Sequence, residues 1–589
     1  MLRPFRAAAA ALLASLAGCA TVPAAPPAPV EVGIVAINDF HGSLEPPRSA
    51  QRQPDGKGGE VLVPAGGVAY LASAIDSVRA KYRYALTVSA GDMIGGSQLA
   101  SALFLDEPTI GAMNRIGVEF NAVGNHEFDR GRDELERIQA GGCEKHTTRE
   151  PCRLEPYAGA RFKFLAANTI DPDGSTLFPG TALRSFGEGK AKIRIGVIGV
   201  TLKETGDLTS REGLGGATFA DEAETVNRLA PQLRAQGADA VVVLIHQGGY
   251  TSGNLDPSSC ENLTGEIRSI LDRMTTEVDV VVSGHTHWAY VCDYAAINPA
   301  KPFLLTSGGV YGAMVTDIAL RIDPATHRVV GKRARNVLVQ NDGMATSRGR
   351  VEPTALFPRF AARPDIAEYA GRYIEAAKSE IERPAGHIAE RVSRPGGEAG
   401  RIGGTLGLLV ADAQLAATRS AGAQIALMNA FGVRSPFNLT PGPDGALTYG
   451  QLYSVQPFTN QLVTGTLTGA ELKAVLEEGF DAIQPIQYLS PSAGFAYSVD
   501  LARPIGQRVI AMTLDGKPID PAADYRVTVN NFLAGGGDSF ANFTKMRDKV
   551  VARPTDIEAL EAWLQADPPR VAPRDDRVTA LNDPTLAER

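Results

Sequence analysis

The sequence predicts an α/β fold in its first half, joined through a helix to a second α+β domain. Three observations carry this reading. Six short β-rich runs, residues 32–39, 85–92, 120–127, 193–200, 240–247 and 278–287, alternate with helical stretches, the pattern of a layered α/β sheet. Each run ends in polar residues, and open α/β sheets place ligand sites beyond the carboxyl ends of their strands. The 589 residues are 44% hydrophobic and 21% charged, which supplies large packed cores and excludes a disordered chain.

The N-terminus reads as an export signal. Arg3 and Arg6 precede an apolar run over 7–17 that is too short to span a bilayer. The run ends in Leu16-Ala17-Gly18-Cys19, which resembles the lipobox of bacterial lipoproteins. Residues 1–18 are therefore expected to be a lipoprotein signal peptide, Cys19 the lipidated residue, and the Pro- and Ala-rich stretch 19–30 a tether. The plainer alternative is an ordinary signal peptide with an incidental cysteine. Lipidation predicts an exported protein held on a bacterial membrane, facing the periplasm or the cell surface. Four cysteines remain, an even number that suits two disulfides in an oxidising compartment. Three pairings are possible; Cys143–Cys152 and Cys260–Cys292 close the shortest loops and are favoured. None has the CxxC spacing of a zinc site.

The first domain is read as residues 31–345. Over 346–384, Pro353, Pro358 and Pro364 interrupt the chain, and a helix begins with Pro364 in its first turn. Its apolar positions Ile366, Tyr369, Tyr373, Ala377 and Ile381 keep helical spacing, so the segment is read as a linker helix. The second domain, 385–567, opens with a helix near 406–420, a strand over 423–429 and a strand-rich stretch through Ala541. The Pro- and Asp-rich tail, 568–589, is expected to fray. With 66 acidic and 58 basic residues the net charge is −8, which argues against a nucleic-acid polymer as partner.

Five strand ends in the first domain collect ligand-type residues: Asp39-Phe40-His41, Gly91-Asp92, Gly124-Asn125-His126-Glu127, His246 and Gly284-His285-Thr286-His287. Asp and His suit borderline divalent cations, and Asn supplies a neutral amide oxygen. Two neighbouring cations need a bridging carboxylate, which a lone Asp after Gly at a strand end can provide. Taken singly each histidine is an ordinary strand-end polar group; five such sites in one order are not. His146, His327 and His387 fit no such pattern and are expected at the surface.

The order D-x-H, G-D, G-N-H-E, H, G-H-x-H resembles the calcineurin-like binuclear metallophosphatases, and more closely the 5'-nucleotidase family of secreted enzymes. The resemblance implies an N-terminal αββα metallophosphatase sandwich and two divalent metal ions, zinc, manganese or similar. Asp39, His41, Asp92 and His287 would hold one ion; Asp92, Asn125, His246 and His285 the other, with Asp92 bridging. His126 would act on the phosphate as a catalytic residue, oriented by Asp129. For Asp129 the alternative on local sequence is a helix N-cap. The second half resembles the family's C-terminal substrate-binding domain. There "NAFGVR" places Asn429 and Arg434 on its N-x-G-G-x-R loop, with Phe431 where Gly is usual. "QPFTNQL" and "NFLAGGGDSF" place Phe458 and Phe532 on two base-stacking aromatics and Asp538 on the ribose hydroxyls. Arg401 matches a phosphate-contacting Arg only with an offset of one. The implied reaction is release of phosphate from nucleotides by in-line attack of a metal-bound hydroxide. The same metal centre would serve a UDP-sugar hydrolase or a 2',3'-cyclic-nucleotide phosphodiesterase with 3'-nucleotidase activity. An inactive nucleotide-binding surface lipoprotein is the alternative of another class. The implied partners are a nucleotide or nucleotide-sugar and the membrane, in a monomer or homodimer.

Overall fold

Val30–Ile37 shows how the first domain is layered. Alternate residues of a strand point to opposite faces. Val32, Ile34 and Ala36 pack into one buried apolar cluster, and Val35 and Ile37 into another. Both faces are covered, so the strand reads as a continuous apolar run instead of an alternating one. Ile193–Val200 repeats the arrangement on the opposing sheet, with Ile195 and Val197 meeting the first cluster and Ile198 and Val200 facing outward into a third. The computed structural model describes residues 28–583 apart from 48, 190–191, 253–254, 347–348, 395–402, 435–437, 443 and 482–485.

Two six-stranded sheets result. In the first, Val30–Ile37, Tyr84–Ser89, Phe120–Ala122 and Lys163–Leu165 run parallel, and Met314–Asp323 and Arg328–Leu338 add antiparallel strands at one edge. In the second, Ile193–Val200, Ala240–Ile245, Val280–Ser283 and Leu304–Gly308 are parallel, with antiparallel strands Thr181–Phe186 and Ala289–Asp293 at the edges. Helices Val68–Arg79 and Glu107–Ile116 cover the first sheet, and Glu222–Ala235 and Glu266–Arg273 the second, which makes the αββα sandwich. Cys143 bonds Cys152 and Cys260 bonds Cys292, with Cα atoms 5.6 and 5.1 Å apart.

Helix Pro364–Glu382 is not a free-standing connector. Ile366, Tyr369, Tyr373 and Ala377 are buried in the same cluster as the first domain's helices, so most of its length is part of that domain. Beyond it lie a five-stranded sheet built around Ile425–Met428, Asp524–Asn530 and Gln461–Thr468, and a four-stranded sheet around Phe495–Asp500. Helix Gly404–Thr418 packs with Asp556–Leu564, and Leu99 and Ala102 of the first domain join their apolar cluster. The two domains thus share buried surface.

The tail departs from expectation. Val578–Leu581 is a strand paired in parallel with Phe495–Asp500. Arg577 holds Asp412 through two nitrogens at 2.8 and 2.9 Å, and Tyr488 donates to Asp583 at 2.6 Å. Long-range pairing overrides a composition that favours fraying.

Candidate metal centre and substrate cleft

The carboxyl ends of the two sheets meet at one point. Asp39 and His41 follow Val30–Ile37, Asp92 follows Tyr84–Ser89, and Asn125 follows Phe120–Ala122; His246 follows Ala240–Ile245, and His285 and His287 follow Val280–Ser283. Asp39, His41, Asp92, His285 and His287 all take left-handed backbone angles, φ from 47° to 68°. Such angles are costly for residues with a side chain and persist only where the surroundings impose them. Gly124 shows the crowding: a Cβ there would lie 2.2 Å from Asp92 Oδ1.

Hydrogen bonds fix the imidazoles. His246 Nδ1 donates to the Ala90 carbonyl at 2.9 Å, so Nε2 is left facing Asp92 Oδ2 at 3.0 Å and Asn125 Oδ1 at 3.1 Å. His41 Nδ1 donates to the Gly95 carbonyl at 2.8 Å, and its Nε2 faces His287 Nε2 at 3.1 Å and Asp92 Oδ2 at 3.7 Å. His287 Nε2 is 3.6 Å from Asp39 Oδ1, and His285 Nδ1 is 3.1 Å from Asn125 Oδ1. Lone pairs therefore converge on lone pairs. Donors about 2 Å from a shared ion sit about 3 Å from one another, so this donor set fits divalent cations. Among the described residues, three groups of donors fall within 4.8 Å: Asp39, His41 and His287; Asp92, His246 and His285; and His41, Asp92 and His126.

The electrostatics express the same crowding. Burial drives His41 and His285 down to about 3, so both are neutral, ligand-ready imidazoles. Burial also opposes a charge on His246, but the Asp92 and Asp39 carboxylates outweigh it and push this residue up to about 10. Asp39 is pushed up to about 7, chiefly by burial.

His126 Nδ1 is 2.9 and 3.0 Å from the two oxygens of Asp129, which also accepts from the Gly96 N–H at 2.8 Å. Burial opposes its charge, yet Asp129 and Asp92 together raise its pKa above the usual value.

A cleft of about 1220 Å³ opens over the centre, and its walls come from both domains. Asp92, Asn125, His126, His285 and His287 lie on one wall, and Asn429, Arg434, Phe458, Phe532 and Asp538 on the other. The Phe458 ring is stacked 5.7 Å from the His126 imidazole at 8°. Phe532 lies on Gly537, where a Cβ would come within 2.5 Å of the ring. Asn429 Nδ2 donates to Asp538 Oδ2 at 2.7 Å, and burial pushes Asp538 up to about 6. Arg434 Nη2 is buried with no hydrogen-bond partner among the described residues, a cation suited to an anionic ligand. Cys19 and Arg401 lie outside the described residues.

Residues 33–289 match the family model of the calcineurin-like phosphoesterases, and residues 384–545 that of the 5'-nucleotidase C-terminal domain. The chain belongs to the 5'-nucleotidase family of calcineurin-like metallophosphatases. It is 26% identical over 589 residues to the 5'-nucleotidase of Vibrio cholerae, covering 95% of each chain. It is 30% identical over 546 residues to the endonuclease YhcR of Bacillus subtilis; that covers 92% of this chain but only 40% of YhcR. Among solved structures, the 5'-nucleotidase precursor of Thermus thermophilus matches with a TM-score of 0.72 at 26% identity, covering 94% of this chain and all of the other.

Within this family site, the sequence groups Glu127 with the ligand-type residues but gives it no role, and leaves several other residues unmarked. Glu127 accepts from the N–H groups of Asp92, Met93 and Gly124 at 2.9, 2.8 and 2.7 Å, clamping two ligand loops together. Its place beside Asn125 and His126 was the available signal. Asn38 donates to Asp39 Oδ2 at 2.6 Å and to the Gly309 carbonyl at 2.7 Å, and so orients that carboxylate. At Gly96 (φ 52°) the position of a Cβ would be 3.2 Å from Arg434 Nη2, 3.5 Å from His41 Nδ1 and 3.7 Å from His126 Cε1. The domains meet across that gap. Arg394 is buried, donates to the Val433 carbonyl and lies 5.8 Å over the Phe431 ring. Phe431 itself needs no left-handed angle, so the usual Gly is dispensable there. His146, expected at the surface, is exposed but borders the cleft. His327 is exposed beside Asp239 at 2.6 Å, and His387 is exposed.

Proposed function

We propose that the protein is a phosphohydrolase that releases phosphate from 5'-nucleotides, exported and held to a membrane through lipid on Cys19. The observation that carries the reading is the single cleft that joins the Asp/His/Asn donor set to two aromatic rings, a carboxylate and an Arg whose buried Nη2 has no hydrogen-bond partner among the described residues. Asp39, His41, Asp92 and His287 would hold one divalent ion, and Asp92, Asn125, His246 and His285 a second. Such ions supply Lewis-acid charge neutralisation and an activated water. The chain's own residues do the rest. Arg434 binds phosphoryl oxygens and orients the phosphorus toward the Asp92 side of the cleft. His126, kept charged by Asp129, donates a proton to the leaving oxygen. Phe532 and Phe458 present ring faces for the base, and Asp538 accepts from the ribose hydroxyls. Two disulfides support an oxidising compartment. No helix among the described residues is long and apolar enough to cross a membrane.

Phosphate release from a panel of 5'-, 3'- and 2',3'-cyclic nucleotides and UDP-sugars, before and after chelation, tests this. The expected result is chelator-sensitive release, fastest from 5'-nucleotides, and absent in Asp92→Asn. Chelator-resistant release, or none from any nucleotide, would refute it.

A further inference from the structure

A second, smaller cavity of about 180 Å³ adjoins the main cleft at Arg434. Gly96, Arg434, Tyr453 and Pro457 line both spaces and form the partition between them. On the cavity side the wall includes His41 and Ser43, and the outer rim carries Glu45 and Gln98. Among the polar atoms here, Ser43 Oγ and Arg434 Nη2 are buried without hydrogen-bond partners among the described residues. Both can donate, so both call for an acceptor such as water or a phosphoryl oxygen. At about 30 Å³ per water the cavity has room for several waters or one tetrahedral oxyanion. The rim is tied: the Glu45 N–H donates to Gln98 Oε1 at 3.0 Å, and Gln98 Nε2 donates back to the Glu45 carbonyl at 2.9 Å.

Resting on the phosphohydrolase reading, we propose that this cavity is the exit for inorganic phosphate. After the phosphate ester bond breaks, the nucleoside, stacked on Phe532 and held by Asp538, fills the cleft in front of the metal centre. Phosphate lies behind it, against Arg434. Through one mouth it could leave only after the nucleoside. The guanidinium of Arg434 faces both spaces, so turning it past Gly96, which offers no side chain in the way, carries the anion into the cavity and on past Ser43.

Glu45 gives the route a kinetic signature. Phosphate does not rest at the rim, so a carboxylate there slows passage inward and outward alike and leaves the equilibrium unchanged.

The test measures association and dissociation of radiolabelled inorganic phosphate with the metal-loaded protein, without turnover. Glu45→Gln should raise both rates by roughly fivefold at unchanged Kd, the scale of one screened charge at the rim. Ser454→Phe, which fills the cavity from helix Tyr449–Val455, should lower both rates at unchanged Kd, with its Tm confirming that it folds. Phosphate exchange should also persist when saturating adenosine occupies the main cleft. Rates indifferent to Glu45→Gln, exchange blocked by adenosine, or no phosphate binding would each overturn the exit. A protein that exchanges phosphate as described but hydrolyses no nucleotide would refute the proposed function alone.

Discussion

His126 is the residue whose environment states its role most sharply. Its Nδ1 is taken by Asp129, Phe458 covers one face, and its backbone N–H donates to Asp92 Oδ1 at 2.9 Å, so ring and ligand loop move as one. His126→Ala should lower kcat by roughly 10²- to 10⁴-fold with metal content unchanged, read from steady-state rates and metal analysis. Loss of metal in this variant would make His126 a ligand. Asp538 supplies a pH dependence. Burial raises it from 3.8 to about 6, so its carboxylate is protonated as pH falls through that value and would stop accepting from the ribose hydroxyls it is proposed to bind. KM for a nucleotide should therefore rise below about pH 6, and Asp538→Asn should have a high KM with that pH dependence lost. A wild-type KM that is flat across pH 5–7 would count against this contact. The clustered strand-end donor residues were legible in the sequence because Gly-Asp, Gly-Asn-His-Glu and Gly-His-x-His are local words. Gly96 and Arg394 were not, because Gly96 takes its meaning from packing between domains and Arg394 from contacts with Val433 and Phe431, which are distant in sequence.

Among the elements, the loop between Ala240–Ile245 and Glu266–Arg273 borders the metal centre through Gln247, Gly248 and Tyr250, and Cys260–Cys292 ties it to strand Ala289–Asp293. Trp288 Nε1 donates to the Thr251 carbonyl at 3.0 Å, a second tie beside His287. The cross-link closes a separation of 32 residues, for which loop entropy gives about 3–4 kcal/mol. Cys260→Ala with Cys292→Ala should lower the denaturation midpoint accordingly and open residues 250–264 to proteolysis. An unchanged midpoint would mean that packing alone holds the loop. The β-runs were readable as strands because their apolar residues are continuous, the mark of burial on both faces. Val578–Leu581 was not, because its neighbours are Pro- and Asp-rich and its partner strand lies about eighty residues upstream. Helix Pro364–Glu382 was readable by period, but the face buried by Tyr369 and Tyr373 belongs to the first domain, which spacing alone does not reveal.

In the whole molecule two domains would share one reaction: the first would break the phosphate ester, and the second would decide which ester is presented. Leu99 and Ala102 pack into the second domain's core, and Arg434 reaches Gly96, so the cleft is assembled in this arrangement. Phe458 touches His126, so its loss should harm every substrate; Phe532 packs on Gly537 away from that imidazole and isolates base recognition. The deciding measurement is kcat/KM for a 5'-nucleotide relative to p-nitrophenyl phosphate, in wild type and in Phe532→Ala. Base stacking of ~1–3 kcal/mol predicts that this ratio falls by roughly 5- to 150-fold while the small ester is hydrolysed at the wild-type rate. An unchanged ratio would contradict the claim that the second domain selects nucleotides for the metal centre of the first.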